Sequence, residues 1–179
     1  RNKPVHKKPI TPIKAALVIG GGVAGMTAAL DIAKQGPKVY LIEKENELGG
    51  NVRNIHHLLI EGDPQVRLAE MVKKVRSDPN IEVLLGTTLK DFKGFVGAFD
   101  ALLDTGGKDR EIKIGAAIVA SGATELKPNG LYLYGTDDRV MTQLEFDKKL
   151  KDKGLGLRAI ARELKMPPSS VHRALQLAA

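Results

Sequence analysis

The 179-residue chain has no cysteine and no tryptophan, and aromatic residues make up only 4% of it. Without thiols, these residues cannot form disulfides, zinc–thiolate sites, cysteine-ligated iron–sulfur clusters or a cysteine nucleophile. With so few rings, a core has to be built from Leu, Ile, Val and Ala, and the 42% hydrophobic content suffices for that. Long apolar runs are missing too. None approaches the roughly 18 residues of a membrane span, and nothing resembles a signal peptide. No membrane partner and a cytoplasmic location are therefore expected. At this length one ordinary domain fits, with room for a small appendage.

Acidic residues are absent from residues 1–14, which carry five Lys/Arg, and scarce in 148–179, where eight basic residues face two acidic ones. The net charge of +7 thus sits at the two ends of a mildly acidic body. Such asymmetry is one signature of a tail that contacts nucleic acid, and also of simple solvated ends. Residues 1–14, RNKPVHKKPITPIK, contain Pro4, Pro9 and Pro12, so they read as a basic, Pro-rich extended linker. His6 in that linker has no partner at ligand spacing.

What the chain does contain is concentrated in residues 17–50. An apolar run from Ala15 to Ile19 leads into Gly20-Gly21-Gly22-Val23-Ala24-Gly25, which satisfies G-x-G-x-x-G. A helical pattern follows, Gly36-Pro37 stops it, and a second apolar run, Val39 to Ile42, ends on Glu43. Strand, glycine turn, helix, strand and acid stand in the order a dinucleotide site requires. Gly20 permits the tight turn, Gly22 lets backbone N–H groups approach a diphosphate, and Gly25 allows the helix to lie close on the strand. The helix N-terminus offers unpaired N–H donors and the positive end of its dipole. Glu43, 18 residues beyond Gly25, stands near the spacing of an acid that accepts from ribose hydroxyls.

Residues 44–60 read as a polar loop. Its Gly49-Gly50-Asn51 either makes a plain turn or brings backbone to the cofactor. His56 and His57 are adjacent, so on a strand they would face opposite sides, and no metal site is expected. Pro64 to Ser77 has an amphipathic helical pattern, with Val66, Leu68, Ala69, Met71, Val72 and Val75 apolar and Asp63 as N-cap. Ile81–Leu85 reads as a buried strand. Strand candidates at 88–96, 98–104 and 110–114 form a β-meander with a hairpin turn at Gly106-Gly107. Ala116–Ala120 is a further strand, ending in Ser121-Gly122-Ala123, a small-residue turn of the kind that meets cofactors in doubly wound sheets. Residues 124–140 look irregular, and Thr142 with Glu145 forms a capping box for a helix through Leu144, Phe146 and Leu150.

Residues from about 5 to 150 resemble the flavin domain of the A-type subunit of heterodisulfide reductase and its relatives, within the glutathione-reductase-like flavoproteins. The stretches that carry the resemblance are ALVIGGGVAGMTAALDIAKQG, VYLIEKENELGGNVR, the strands of 81–114, and AAIVASGA followed by VMTQLEF. The resemblance implies FAD as cofactor, where the fingerprint by itself also admits NAD(P). It implies the FAD diphosphate at Gly20, Gly22, Val23, Ala24 and Gly25, and the adenosine ribose at Glu43 with Lys44 beside it. Gly49, Gly50 and Asn51 would lie toward the ribityl and ring side. A second flavin motif, Ala-Thr-Gly in the family, appears as Ala120-Ser121-Gly122, which keeps the hydroxyl. Pro37 stands where the family has an aromatic or polar residue. The family's inserted pyridine-nucleotide domain, its Gly-Asp motif and its cluster-ligating cysteines are absent from these residues, so a half-built, truncated flavin site is expected.

From Gly154 to Leu175 the sequence looks like a helix-turn-helix, similar to those of resolvases, transposases and small regulators. Ile160, Ala161 and Leu164 would line the first helix, and Lys165–Pro168 the turn, where Gly is usual at the position of Lys165. Ser169 would cap the second helix, whose Val171, Ala174 and Leu175 face inward. Ser169, Ser170, His172 and Arg173 would then meet the major groove or phosphates. An amphipathic hairpin without a DNA partner has the same pattern, and a third closing helix would have to come from 142–152.

The expected fold is α/β, a Rossmann-like FAD-binding three-layer domain with parallel sheet and β-meander over 15–150, incomplete, followed by a short helical hairpin over 151–179. The expected function is that of an FAD-binding module of an electron-transfer oxidoreductase, completed by other oxidoreductase subunits or by self-association. Two other readings stay open. One is a DNA-binding protein whose nucleotide domain senses a ligand, and the other is an inactive remnant of an interrupted flavoprotein gene. No catalytic acid or base is nominated, because chemistry in this class belongs to the flavin.

Overall fold

The structure, a computed structural model, describes residues 11–57 and 63–154. These form two compact units, one of 11–50 with 72–122 and one of 51–57, 63–71 and 123–154. In the first unit, strands β1 (Ala15–Ile19), β2 (Lys38–Ile42), β3 (Ile81–Leu84) and β7 (Ala116–Val119) form a parallel sheet in the order β3-β2-β1-β7. The register pairs Ala15 with Lys38 and Ile19 with Ile42, so β1 and β2 end level, and the sequence that follows each emerges at the same sheet edge. Strands β4 (Thr87–Phe95), β5 (Ala98–Thr105) and β6 (Lys108–Ile114) make a separate antiparallel sheet.

The strand alternation decides which residues meet which layer. Leu17 and Ile42 point to one face of the parallel sheet, where they join Ala101, Leu103, Ile112 and Ile114 of the antiparallel sheet in one core. Ala16, Val18, Val39 and Leu41, on the alternate positions, are buried on the other face. There α1 (Val23–Ala33) lies against β1 and β2, with Met26, Ala29 and Ala33 buried. Each large aliphatic side chain fully removed from water contributes about 1.5–3 kcal/mol. This is the three-layer arrangement expected, with the antiparallel sheet as third layer. β7 is an edge strand, and its Val119 stays 73% exposed.

The strand boundaries differ from expectation by one or two residues, because terminal ladder bonds depend on the partner strand. β4 starts at Thr87, β6 begins at Lys108, and β3 and β7 end at Leu84 and Val119. The β5–β6 turn is only Gly106-Gly107, both at positive φ as a two-residue hairpin requires.

Helix α2 (Pro64–Ser77) has the expected start, with the Asp63 carboxylate accepting from the Gln65 N–H at 2.7 Å. Its buried stripe is narrower than the sequence pattern. Pro64, Leu68 and Val75 are buried, but Val66 is exposed, since it lies two positions from both Pro64 and Leu68 and so on the opposite flank. The loop expected at 44–60 contains a 3-10 turn, Gly50–Asn54.

His56 and His57 are not on a strand. They follow that turn, and both engage Asp147 of α3 (Gln143–Asp152): the His56 N–H donates to Oδ2 at 2.6 Å, and the His57 imidazole Nδ1 meets Oδ1 at 2.5 Å. No group of metal-ligating side chains occurs among the described residues. The capping box of α3 is present, with Thr142 Oγ1 accepting from the Glu145 N–H and the Glu145 carboxylate from the Thr142 N–H. The helix-turn-helix-like stretch, with Ser169, Ser170, His172 and Arg173, lies outside the described residues.

Candidate functional site

At the upper end of β1 the chain turns at Gly20, whose φ of +112° favours glycine. A Cβ there would lie 2.2 Å from the Ala120 carbonyl oxygen, and one at Gly25 would lie 1.8 Å from the Gly20 oxygen. Both glycines are therefore demanded by the protein's own packing. Gly22 is different. Its φ of −74° suits any residue, and no heavy atom lies within 4 Å of the position a Cβ would take. Gly22 is also the N-cap of α1, with no side-chain cap and no acid in the first turn. The N–H groups of Val23, Ala24 and Gly25 thus open the helix without intrahelical acceptors, at the positive end of its dipole. An uncapped helix end with a bare Cα beside it suits an anion that approaches the backbone closely.

Glu43 follows β2 directly and is only 8% exposed. Its carboxylate accepts from the Gly21 N–H at 2.6 Å through Oε2 and from the Glu45 N–H at 3.0 Å through Oε1. A carboxylate has about four acceptor positions, so two bonds hold it in place and leave capacity for hydroxyl donors. Lys44 is exposed, and its ammonium lies 4.0 Å from the Glu45 carboxylate.

Gly21 lies between the two glycines that the G-x-G start of the fingerprint requires. Its N–H orients Glu43, its carbonyl accepts from the Gly49 N–H at 2.8 Å, and a Cβ there would lie 2.5 Å from Leu48 Cδ2. The signal for it in the sequence was the uninterrupted Gly20-Gly21-Gly22, one glycine more than G-x-G-x-x-G needs. Gly50, at φ +53°, rests against Gly22, with a would-be Cβ 3.2 Å from the Gly22 Cα. The glycine pair therefore brings backbone onto the turn and is no plain bend.

After β7, the Ala120 N–H donates to the Ile19 carbonyl at 2.8 Å, which sets Ala120 beside Gly20. Ser121 and Gly122 continue exposed from there. Gly20 to Gly25, Glu43, Gly49, Gly50 and Ala120 are thus brought together within the first unit. Asn51 belongs to the second unit, where its side-chain amide donates to the Ala123 carbonyl at 2.8 Å.

Residues 14–160 match the family profile described as "Pyridine nucleotide-disulphide oxidoreductase". The chain is 38% identical over 105 residues to an A-type iron-sulfur subunit of CoB–CoM heterodisulfide reductase from Methanopyrus kandleri, a stretch that covers 58% of this chain and 16% of that protein. To the corresponding protein of Methanocaldococcus jannaschii it is 36% identical over 105 residues, with the same coverage. The chain thus spans about one sixth of the length of these curated relatives. Among solved structures, it is similar to L-proline dehydrogenase from P. horikoshii, with a TM-score of 0.53 and 28% identity over 66% of this chain and 25% of that one. A thioredoxin reductase from Lactococcus lactis shares the fold, with a TM-score of 0.54 and 21% identity over 64% of this chain and 37% of that one.

Proposed function

The chain belongs to the pyridine nucleotide-disulphide oxidoreductase family, whose members are FAD-dependent, and we propose that it holds the ADP half of FAD as a module of an electron-transfer oxidoreductase similar to the A-type subunit of heterodisulfide reductase. The observation that carries this reading is Gly22. Packing accounts for Gly20 and Gly25, whereas at Gly22 the space a side chain would take stands open beside the helix N-terminus, where a diphosphate would approach the backbone. In this reading the backbone N–H groups of Gly22, Val23, Ala24 and Gly25 hold the diphosphate, and Glu43 accepts from the adenosine ribose hydroxyls. Lys44 stands at the solvent side of the ribose, while Gly49, Gly50, Asn51, Ala120, Ser121 and Gly122 extend toward the ribityl chain and ring. FAD, when bound, supplies the redox chemistry, and the protein supplies binding, orientation and electrostatics.

No cysteine is available in these 179 residues, so any iron–sulfur cluster is held outside them, and other oxidoreductase subunits are the partners of this reading. Those subunits, or a second copy of this chain, complete the flavin side of the site. No helix among the described residues is long and apolar enough to cross a membrane, and we place the module in the cytoplasm. Its working parts are the linker 1–14, the flavin domain 15–150 and the tail 151–179.

The visible absorption spectrum of the purified protein, with chromatography of the released cofactor, tests the reading. Stoichiometric FAD supports it. Colourless protein that also takes up no added FAD overturns it and leaves the inactive-remnant reading. A second role rests on the tail: the pattern of 154–175 and its excess of basic residues suit a helix-turn-helix that contacts DNA through Ser169, Ser170, His172 and Arg173. DNA affinity that falls steeply with salt and disappears on Arg173→Ala supports that role.

A further inference from the structure

Aromatic residues aside, the polar side chains buried among the described residues are those of Glu43 and Thr87, the latter 1% exposed. The two residues are joined within the first unit. The Thr87 N–H donates to the Glu43 carbonyl at 2.9 Å, and the Glu43 N–H donates to the Leu84 carbonyl at 2.9 Å. The backbone of the acid is thus held on both sides. Between these bonds the Gly86 N–H donates to the Glu45 carbonyl at 3.0 Å, and Gly86 turns the corner at φ +58°.

The Thr87 hydroxyl closes that corner. Its Oγ1 donates to the Leu85 carbonyl at 2.9 Å, so toward the Thr105 hydroxyl, also at 2.9 Å, it acts as acceptor. Thr87 and Thr105 are the register pair where β4 begins and β5 ends. A buried, fully satisfied hydroxyl therefore ties the end of the antiparallel sheet to the backbone of Glu43.

We propose that Thr87 is a positioning residue for the Glu43 carboxylate, and through it for the selection of ribose hydroxyls. The proposal rests on the reading of Glu43 as the ribose acid. The Gly21 and Glu45 N–H groups orient the carboxylate, but its reach is set by where the backbone of residue 43 lies, and the 84–87 corner fixes that. The glycine turn after β1 is set separately, by the close approaches of Gly20 and Gly25. Loss of the hydroxyl therefore weakens discrimination at the ribose and leaves recognition of the diphosphate intact.

Thr87→Val removes the hydroxyl at nearly constant shape, and Thr87→Ser retains it. By calorimetry, wild-type protein and Thr87→Ser are expected to prefer ADP over 2′,3′-dideoxy-ADP by about tenfold. In Thr87→Val that preference falls about three- to tenfold. Affinity for the dideoxy nucleotide stays within about twofold, which also reports that the variant is folded. In ligand-free protein the Gly21 amide proton, bonded to Glu43 at 2.6 Å, shifts its resonance in Thr87→Val and keeps it in Thr87→Ser. Thr105→Val, which takes away one partner of the same hydroxyl at a half-buried position, lowers the preference by a smaller factor and carries the test where Thr87→Val does not fold. An unchanged preference, equal losses for both nucleotides, or the same loss in Thr87→Ser overturns the proposal while the FAD reading stands. Wild-type protein that binds both nucleotides equally, or neither, overturns the reading of Glu43 as the ribose acid, and this proposal with it.

Discussion

Gly21 and Glu43, 22 residues apart in sequence, are joined by a 2.6 Å hydrogen bond from the glycine N–H to the buried carboxylate. A second N–H, from Glu45, completes the grip at 3.0 Å. In the proposed site, the acid that would face the ribose is thus aimed by the same loop that would receive the diphosphate. One peptide group couples the two subsites.

Removal of that carboxylate leaves two N–H groups without their acceptor. Glu43→Ala is expected to cost about 1–3 kcal/mol of stability, seen as a lower urea midpoint with an unchanged slope. It should also weaken FAD binding about tenfold or more, which titration calorimetry would measure.

The glycines of the fingerprint separate into two behaviours. Gly20→Ala and Gly25→Ala force a Cβ to within 2.2 Å and 1.8 Å of carbonyl oxygens. Each is expected to destabilise by about 1–3 kcal/mol, as overpacking does. Gly22→Ala meets open space and should change stability by less than about 0.5 kcal/mol. FAD affinity nevertheless falls about tenfold, because the new methyl stands where the diphosphate approaches. A Gly22→Ala variant that binds FAD as the wild type does would falsify this assignment.

The two-sheet core depends on Leu103, which is completely buried among Leu17, Ile42, Ile112 and Ile114. Leu103→Ala is expected to cost about 2–5 kcal/mol, from lost transfer energy and a residual cavity. Chemical denaturation reads this directly, and an effect below about 1 kcal/mol would argue against a close-packed interface between the sheets.

Glu145 links the capping box of α3 to the preceding loop. The Thr142 backbone N–H, the Tyr134 hydroxyl and the Lys127 ammonium together hold its carboxyl down to about 2 from an ordinary 4.5. A depressed folded-state pKa means that the carboxylate's contribution is complete above about 4.5 and is lost as the pH falls toward 2. Amide exchange at the start of α3 is therefore expected to be flat with pH at neutrality, after correction for the intrinsic rate, and to accelerate below about 4.5. In Glu145→Gln, that acid-dependent part should be absent.

The local parts of this protein were readable from its residues because local physics decides them. Apolar runs, the Gly36 stop, Asp63 and Thr142 as caps, and the Gly106-Gly107 turn all act within a few positions of themselves. The glycine turn after β1 and the acid after β2 were readable for the same reason, since one β-α-β unit carries both. Val66 is exposed against expectation because apolar character does not say which flank of a helix will be covered. The setting of His56 and His57 is not legible in the sequence because a 3-10 turn has no strong periodic signal, and their partner, Asp147, is about 90 positions away.

The sequence by itself determined that a strand, glycine turn, helix, strand and acid would stand together, and that no thiol chemistry could occur in these residues. Tertiary structure alone decided the strand order β3-β2-β1-β7, which sheet covers Leu17 and Ile42, and which glycine answers to packing and which to open space. It also decided that Gly21 aims Glu43 and that Asn51 reaches Ala123. The physical reason is range. Propensity and capping are set by neighbours in sequence, whereas close backbone approaches and the partners of buried polar groups exist only once distant segments have been brought within hydrogen-bond reach.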